Sequence, residues 1–193
     1  MKNLFLLGTA TYLAASLNFS IILFKVLGKG DPRDKFSGNA GTTNVARQLG
    51  EVWALLILLL DMGRAGAVAM AGLWLLPAAF VPLLGLILVI GNQKPVFHRF
   101  RGGKGVAAYL GFTLFISPLV AGLSCLAWVL TYWLFRQPFI ASFFMVSILG
   151  LGTIGSFSST WPAVMGAVAT MGLIFRAHKA NIAGYWKKMK GES

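Results

Sequence analysis

Small polar residues, glycines and one arginine are concentrated in a single short stretch, between Lys35 and Arg47. Glycines here allow backbone N–H groups to converge on a ligand, and the Arg47 guanidinium can bind an oxyanion through two parallel hydrogen bonds. The other residues that we assign to a ligand are Ser37, Asn39, Gly41, Thr42, Thr43 and Asn44. This composition is typical of a phosphate site. The alternative is an ordinary solvated loop whose Thr43 or Asn44 caps the following helix.

A second group, Gly102-Gly103-Lys104-Gly105, directly precedes an apolar segment that begins at Val106. Glycines and a lysine at a helix N-terminus predict an anion site, because free N–H groups and the positive end of the helix dipole face the ligand. The segment is not a Walker A sequence, which requires Ser or Thr after the lysine. For Arg99 and Arg101 we favour a simple role as cytoplasmic anchors, and for Gly102, Gly103 and Lys104 a role in ligand binding.

Two further positions complete the candidate site. His178 and Asn181 are three residues apart, so a helical continuation of the last apolar segment places them on one face. His178 is a candidate for a phosphate contact or for proton transfer, with an uninvolved interfacial histidine as the alternative. Ser142 follows a short turn that re-enters the membrane and is predicted to donate to a ligand in the shared site.

These groups limit the chemistry. One cysteine, two histidines and five acidic residues show no spacing for a metal site, so no metal or cofactor is predicted. The His-x-x-x-x-Asp arrangement of common membrane acyltransferases is missing. Five residues after His98 the chain has Gly103, and five residues after His178 it has Ala183. Acyl transfer in this chain would therefore depend on positioning and electrostatic stabilisation.

Composition determines the setting of these residues. Of 193 residues, 57% are hydrophobic and 11% charged, whereas a soluble domain has about 25% charged residues. Disordered chains are poor in hydrophobic residues, and the single cysteine excludes a disulfide scaffold. The sequence therefore predicts an all-α integral membrane protein, one domain over residues 1–193. The net charge of +12 is assigned to helix orientation and anionic lipid, and no nucleic-acid partner is expected.

The apolar segments predict about seven transmembrane helices, several of them short. Single helices are expected over about 4–24, 52–72 and 73–90, the third with Pro77 and Pro82 inside it. The stretches 106–135 and 140–175 are each expected to form a helix pair, broken at Ser117-Pro118 and between Ser156 and Pro162. Asp61 and Arg64 lie three apart in the second segment and are expected to form an ion pair or a functional group.

Basic residues determine the predicted orientation. With the N-terminus outside and the C-terminus cytoplasmic, the loops at about 25–47, 91–105, 136–141 and the tail at 176–193 face the cytoplasm. They hold every lysine and arginine except Lys2 and Arg64, as the positive-inside rule requires. The lysines of the tail, beside Tyr185 and Trp186, are predicted to meet anionic lipid headgroups.

Together, the three polar groups resemble the signatures of the bacterial acyl-phosphate:glycerol-3-phosphate acyltransferases, the PlsY type. The first matching segment is Ser37 to Asn44 with Arg47. The second is Pro95 to Phe97, then Phe100 and Gly102 to Ala107, and the third is His178 with Asn181-Ile182 and Gly191-Glu192. The chain departs from that family pattern at four places. It has Phe36 where the family usually has Gly, Asn92 in place of His and Arg64 in place of Lys, and the Gly-x-Glu near the end is shortened to Gly191-Glu192.

The resemblance implies a reaction and a location. Members transfer a fatty acyl group from acyl phosphate to the 1-hydroxyl of glycerol 3-phosphate, giving lysophosphatidic acid and phosphate. It implies a monomer in the bacterial inner membrane with a cytoplasmic active site. Ser37, Arg47 and Lys104 are expected to bind glycerol 3-phosphate, assisted by His178 and Asn181. The groups expected to bind the acyl phosphate are the N–H groups of Gly102 and Gly103, together with Asn39 and Thr43.

Two other functions remain open from the sequence. A small transporter for phosphorylated metabolites is supported by the intramembrane Asp61 and Arg64 and by the many glycines, although no inverted repeat is visible. A nucleotide-using lipid kinase would need acidic magnesium ligands, for which only Asp31 and Asp34 are candidates. The general base of an acyltransferase is also open, between His178 and the substrate phosphate.

Overall fold

The structure, a computed structural model, describes residues 2–191, and the regular elements of that range are all helices. Five segments are long and apolar enough to cross a membrane: Lys2–Val26, Glu51–Leu75, Ala78–His98, Pro118–Phe135 and Pro138–Ser156. Two shorter apolar helices accompany them. The ten α-helices of the described residues are α1 Lys2–Ala15, α2 Phe19–Val26, α3 Thr42–Leu49, α4 Glu51–Leu75, α5 Val81–Gln93, α6 Val106–Ile116, α7 Pro118–Phe135, α8 Pro138–Ser156, α9 Trp161–Ala177 and α10 Lys179–Met189.

The first apolar segment is not the single helix that we predicted. It is interrupted between Ser16 and Asn18, where the Asn18 side chain accepts a hydrogen bond of 3.0 Å from the Ile21 N–H and so begins α2. Such polar side chains compete for backbone groups and favour helix ends. Within α4, the Arg64 guanidinium donates to the free Leu17 carbonyl at this interruption, at 2.5 Å.

Arg64 also forms the predicted ion pair with Asp61, at 2.8 Å, and lies over the Phe19 ring at 5.0 Å. Both charged side chains are buried, with 7% and 10% exposed. Charges are tolerated inside a membrane when they pair with one another or with backbone carbonyls. This pair therefore joins α4 to the α1–α2 break.

The third predicted segment has different bounds. Helix α4 extends to Leu75, and α5 begins only at Val81 after a 3₁₀ turn, Ala78–Phe80. The prediction that both prolines lie inside one helix is wrong for Pro77, which precedes the turn, whereas Pro82 does lie in α5, in its first turn. Proline is favourable there, because an N–H in the first turn has no acceptor within the helix.

Both predicted helix pairs are present. Helices α6 and α7 meet at Ser117, where Pro118 begins α7, and α8 and α9 are separated by residues 157–160. The region predicted as one loop over 25–47 contains three helical pieces: the end of α2, a 3₁₀ turn over Pro32–Asp34 and the start of α3.

Helix α6 lies at the centre of the bundle, and its residues Ala108, Tyr109 and Phe112 are at most 1% exposed. It packs closely on α4 because Gly111 has no side chain: a Cβ there would lie 2.5 Å from the Met62 Cα. Small residues allow such close approach of helix backbones in membranes. The N-terminus of α6, with Lys104 just before it, is therefore held in the middle of the molecule.

Candidate active site

A cavity of about 450 Å³ opens where the loops before α3 and α6 meet the start of α8 and the end of α9. Every residue that we predicted for the site lines it except Gly102. The polar part is formed by Ser37, Asn39, Gly41, Thr42, Thr43, Asn44, Arg47, Gly103, Lys104, Ser142, His178 and Asn181. Four separate stretches of the chain thus converge on one volume.

The N-terminus of α3 supplies the first set of donors. Gly41 is the N-cap, and its carbonyl accepts hydrogen bonds from the N–H groups of Asn44 and Val45, at 2.9 and 3.1 Å. The N–H groups of Thr42 and Thr43 have no acceptor within α3 and border the cavity. Arg47 lies one turn further along the same face. The alternative interpretation, with Thr43 or Asn44 as the N-cap, is wrong.

The two glycines before Lys104 do not have the role that we expected. The N–H groups of Gly102 and Gly103 donate to the carbonyls of Gln93 and Asn92, at 3.1 and 3.0 Å. These N–H groups hold the loop, so the prediction that they donate to the acyl phosphate is wrong, although Gly103 lines the cavity.

Their small size has a separate purpose. A Cβ on Gly102 would lie 2.0 Å from the Asn92 carbonyl oxygen, and one on Gly103 would lie 2.8 Å from the Ala40 carbonyl oxygen. Glycine is therefore required for close contact between this loop, the end of α5 and the stretch before α3.

The N–H donors of the second anion site belong instead to the start of α6. Gly105, in a left-handed conformation at φ 90°, is the N-cap, and its carbonyl accepts from the Tyr109 N–H at 2.9 Å. The N–H groups of Val106, Ala107 and Ala108 have no acceptor within the helix, and these residues line the cavity. The dipoles of α3 and α6 therefore both favour negative charge in the same cavity.

Lys104 is held by neighbours on both sides. Its Nζ donates to the Asn181 Oδ1, and its carbonyl accepts a hydrogen bond of 2.8 Å from the Gln93 side chain, which also donates to the Leu173 carbonyl at 3.2 Å. Burial, and to a smaller extent the positive charge of Arg47, lowers the pKa of Lys104 to about 8. An anion bound between these cations would favour the charged form of Lys104 and raise its pKa.

His178 closes the cavity at the junction of α9 and α10. Its side chain is buried, and Nδ1 lies 2.9 Å from the Ile174 carbonyl oxygen, which requires a hydrogen on Nδ1. Burial, and then the charge of Lys104, lowers the pKa of His178 to about 4. The imidazole is therefore neutral near pH 7, and Nε2 can accept a hydrogen bond.

The local backbone differs slightly from the predicted helical continuation. His178 ends α9, and its carbonyl accepts from the N–H groups of Asn181 and Ile182, at 2.9 and 3.1 Å. A new helix therefore begins at this residue. Its first turn still carries Asn181 into the cavity.

Two predicted binding residues make internal contacts as well. The Asn44 side chain donates to the carbonyls of Pro32 and Lys35, at 2.7 and 3.3 Å, and is 1% exposed. The Ser142 hydroxyl donates to the Pro138 carbonyl at 2.9 Å. Asn44 thus fixes the preceding loop, and Ser142 is left with lone pairs that can accept from a ligand.

The apolar wall of the cavity was not predicted. It is assembled from residues of α4, α6, α7 and α8: Leu58, Leu110, Cys125, Trp128, Val129 and Met145. No local pattern identifies these positions, because each belongs to a uniformly apolar helix. The positioning residues Asn92 and Gln93 did have a signal, as polar residues at the end of an apolar segment. Glu192 of the C-terminal signature lies outside the described residues.

The fold and the cavity define a class of protein: a multi-pass membrane protein in which one cavity joins two helix N-termini and two cations to an apolar wall. Family comparison is more specific. Residues 5–188 match the model of the glycerol-3-phosphate acyltransferase family, and the chain belongs to that family.

Curated relatives and solved structures agree. A glycerol-3-phosphate acyltransferase of Ralstonia pickettii (strain 12J) is 36% identical over 181 residues, 90% of this chain and 86% of the relative. One of Pseudomonas aeruginosa (strain LESB58) is 35% identical over 179 residues, 92% and 93% of the two chains. The crystal structure of PlsY, an integral membrane glycerol 3-phosphate acyltransferase, in its glycerol 3-phosphate form has a TM-score of 0.88 at 30% identity, covering 98% of this chain and 94% of that one.

Proposed function

We propose that this protein transfers a fatty acyl group from acyl phosphate to the 1-hydroxyl of glycerol 3-phosphate, giving lysophosphatidic acid and inorganic phosphate. One observation carries the proposal: a single cavity combines two anion-binding helix N-termini with an apolar wall. Two phosphate-bearing substrates need two such anion sites, and a fatty acyl chain needs an apolar surface that continues into the bundle.

Arg47, Lys104 and Ser37 would bind the phosphate of glycerol 3-phosphate. A guanidinium suits bidentate binding of phosphate oxygens, and an ammonium acts as a point charge. Asn181 holds Lys104 in place, and His178 can accept a hydrogen bond from a glycerol hydroxyl through Nε2. These contacts would orient the 1-hydroxyl toward the acyl carbon, which is the positioning contribution to catalysis.

The acyl phosphate would lie at the N-terminus of α6, with Asn39 and Thr43 as further contacts, while Ser142, whose hydroxyl already donates to the Pro138 carbonyl, lines the pocket without donating to it. The N–H groups of Val106 and Ala107 take the role first given to Gly102 and Gly103, since they face the cavity without an acceptor in the helix. Donors there can stabilise the oxyanion that develops on the acyl carbonyl. The acyl chain would lie along Leu110, Trp128 and Met145.

The reaction needs no protein nucleophile, because acyl phosphate is already an activated mixed anhydride. The glycerol hydroxyl oxygen forms a bond to the acyl carbon, the bond from that carbon to the phosphate oxygen breaks, and phosphate leaves. The hydroxyl proton passes to a phosphate oxygen of the substrates. His178 is the weaker acceptor, since its lowered pKa of about 4 makes the imidazole a poor base near neutral pH.

The membrane arrangement belongs to the same proposal. Seven crossings, an outside N-terminus and a cytoplasmic C-terminus would place the cavity at the cytoplasmic face of the bacterial inner membrane. The protein would act as one domain and as a monomer. The exposed residues Trp186, Lys187 and Lys188 of α10 would contact anionic lipid headgroups.

Purified protein in a lipidic medium should release phosphate only when acyl phosphate and glycerol 3-phosphate are both present, and mass spectrometry should identify lysophosphatidic acid. Acyl-CoA should not replace acyl phosphate. Lys104→Met should abolish turnover, and Arg99→Met is the matched control for loss of one positive charge. Binding of both substrates without phosphate release would overturn the proposal and favour a transporter.

A further inference from the structure

Arg33 joins two loops although it does not line the cavity. Its Nη1 donates to the carbonyls of His98 and Arg101, at 3.1 and 2.5 Å, in the loop that leads to Lys104. The rest of its guanidinium is held by Asp31, which accepts from Nε at 2.8 Å and from Nη2 through its second oxygen. We call Asp31 and Arg33 the staple.

The staple is fixed to α3 on its other side. Asp31 caps the 3₁₀ turn Pro32–Asp34, and the Pro32 carbonyl accepts from the Asn44 and Gln48 side chains, at 2.7 and 2.9 Å. Both donors belong to α3, the helix that carries Arg47. A continuous path of hydrogen bonds therefore runs from α3 through the turn to the loop before Lys104.

The backbone around the staple is under conformational strain. Phe36, Arg99 and Phe100 are in the left-handed region, with φ of 53°, 56° and 56°, although none is glycine. Residues with a Cβ hold such conformations only where the surroundings determine them. The side chains of all three are exposed and contribute no buried packing. The loop over residues 98–103 is held by hydrogen bonds instead: the Gly102 and Gly103 N–H groups join it to the end of α5, and the Arg33 side chain joins residues 98 and 101 to the 3₁₀ turn.

We propose that Arg33, oriented by Asp31, is a positioning residue that sets the separation of Arg47 and Lys104, and so matches the cavity to glycerol 3-phosphate. This inference rests on the proposed function of the cavity. Arg47 lies on the short helix α3 and Lys104 on the loop before α6, and only tertiary contacts can hold these two separate stretches at a fixed distance. Loss of the staple should therefore loosen substrate binding before it unfolds the bundle.

The test compares Arg33→Met, Arg33→Lys and the control Arg99→Met, which removes the same charge from an exposed side chain of the adjoining loop. Arg33→Met should raise the KM for glycerol 3-phosphate about tenfold or more, Arg33→Lys should recover part of it, and Arg99→Met should stay within about twofold of the parent protein. A merely structural role would lower the active fraction, and hence the apparent kcat, without moving KM.

Hydrogen–deuterium exchange gives a readout that does not depend on turnover. In Arg33→Met, exchange should rise in residues 36–41 and 98–105 and stay unchanged in α7. Unchanged exchange and unchanged KM, with normal thermal unfolding, would overturn the inference. Failure of the proposed function is distinguishable, because the parent protein would then show no acyl transfer while the exchange result could still be positive.

Discussion

Lys104 shows how strongly one side chain depends on its surroundings. The sequence places it in a glycine-rich loop. In the structure it donates to Asn181, lies beside the start of α6 and is close enough to Arg47 to feel its positive charge. Burial and that positive charge disfavour its charged form, so its pKa falls to about 8, within the range of enzyme assays.

A pH dependence follows from this value. Lys104 is charged below about pH 8 and loses its charge above it, so kcat/KM for glycerol 3-phosphate should fall as pH rises through about 8. This fall at high pH gives the pKa of Lys104 in the free enzyme, because the pH dependence of kcat/KM reflects ionisations that occur before substrate binds. In Lys104→Arg the fall of kcat/KM should move to a pH above the range in which the enzyme can be assayed, because a guanidinium keeps its charge. The same fall in Lys104→Arg would contradict the assignment.

His178 gives a second prediction at this scale. Because its pKa is lowered to about 4, the imidazole is already neutral at pH 7 and a weak base. His178→Ala should raise the KM for glycerol 3-phosphate and lower kcat less than about tenfold, since general base catalysis contributes about 10²–10⁴ in rate. His178→Asn is the control that keeps a hydrogen-bonding side chain. A loss of kcat of about a thousandfold would show that His178 is the base.

At the scale of elements, the site depends on how α6 is held against α4. The contact is close enough that a Cβ on Gly111 would lie 2.5 Å from the Met62 Cα and 2.8 Å from its carbonyl oxygen. Backbone atoms cannot move aside as a flexible side chain can. The packing of these two helices therefore fixes where the N-terminus of α6 lies in the cavity.

Gly111→Ala should separate α4 from α6. Overpacking of this kind costs about 1–3 kcal/mol, so thermal unfolding in detergent should shift to lower temperature, and kcat/KM should fall because the α6 donors move. Gly122→Ala is the matched control, since a Cβ on that α7 residue meets nothing within 4 Å. Equal unfolding temperatures for the two variants would contradict the close contact.

Phe36 illustrates an element-scale constraint that the sequence only hinted at. The family that the sequence resembles usually has glycine there, and the structure gives a reason, because Phe36 has a φ of 53° and is 70% exposed. A left-handed conformation costs a residue with a Cβ about 1–2 kcal/mol. This chain tolerates the cost beside a turn whose backbone is held by Asn44, which donates to the carbonyls of Pro32 and Lys35.

For the whole molecule, the distribution of basic residues predicts the direction of insertion. A reporter fused after the C-terminus should be active in the cytoplasm, and one fused before Lys2 should be outside, because short basic loops are retained on the cytoplasmic side. Paired fusions of a cytoplasmic fluorescent protein and a periplasmic phosphatase measure both ends. Reversed activities would contradict the orientation and the cytoplasmic cavity together.

Much of this architecture could be predicted from the sequence, for identifiable reasons. A bilayer requires long apolar helices whose backbone groups are satisfied internally, so hydropathy located the helices and the breaks at Ser117-Pro118 and after Ser156. Phosphate-binding groups were also visible, because glycines, amides and cations such as Arg47 and Lys104 cluster locally in the chain.

Only the tertiary structure decided how those groups are used. The N–H groups that are free to bind an anion are those at the start of α6, whereas the N–H groups of Gly102 and Gly103 donate to carbonyls at the end of α5. The tertiary structure also assembled the apolar wall from four helices and joined the two loops through Arg33. These features depend on contacts between residues distant in sequence, such as Arg33 with Arg101. Composition and periodicity describe a segment and its solvent, whereas such contacts depend on which segments pack together.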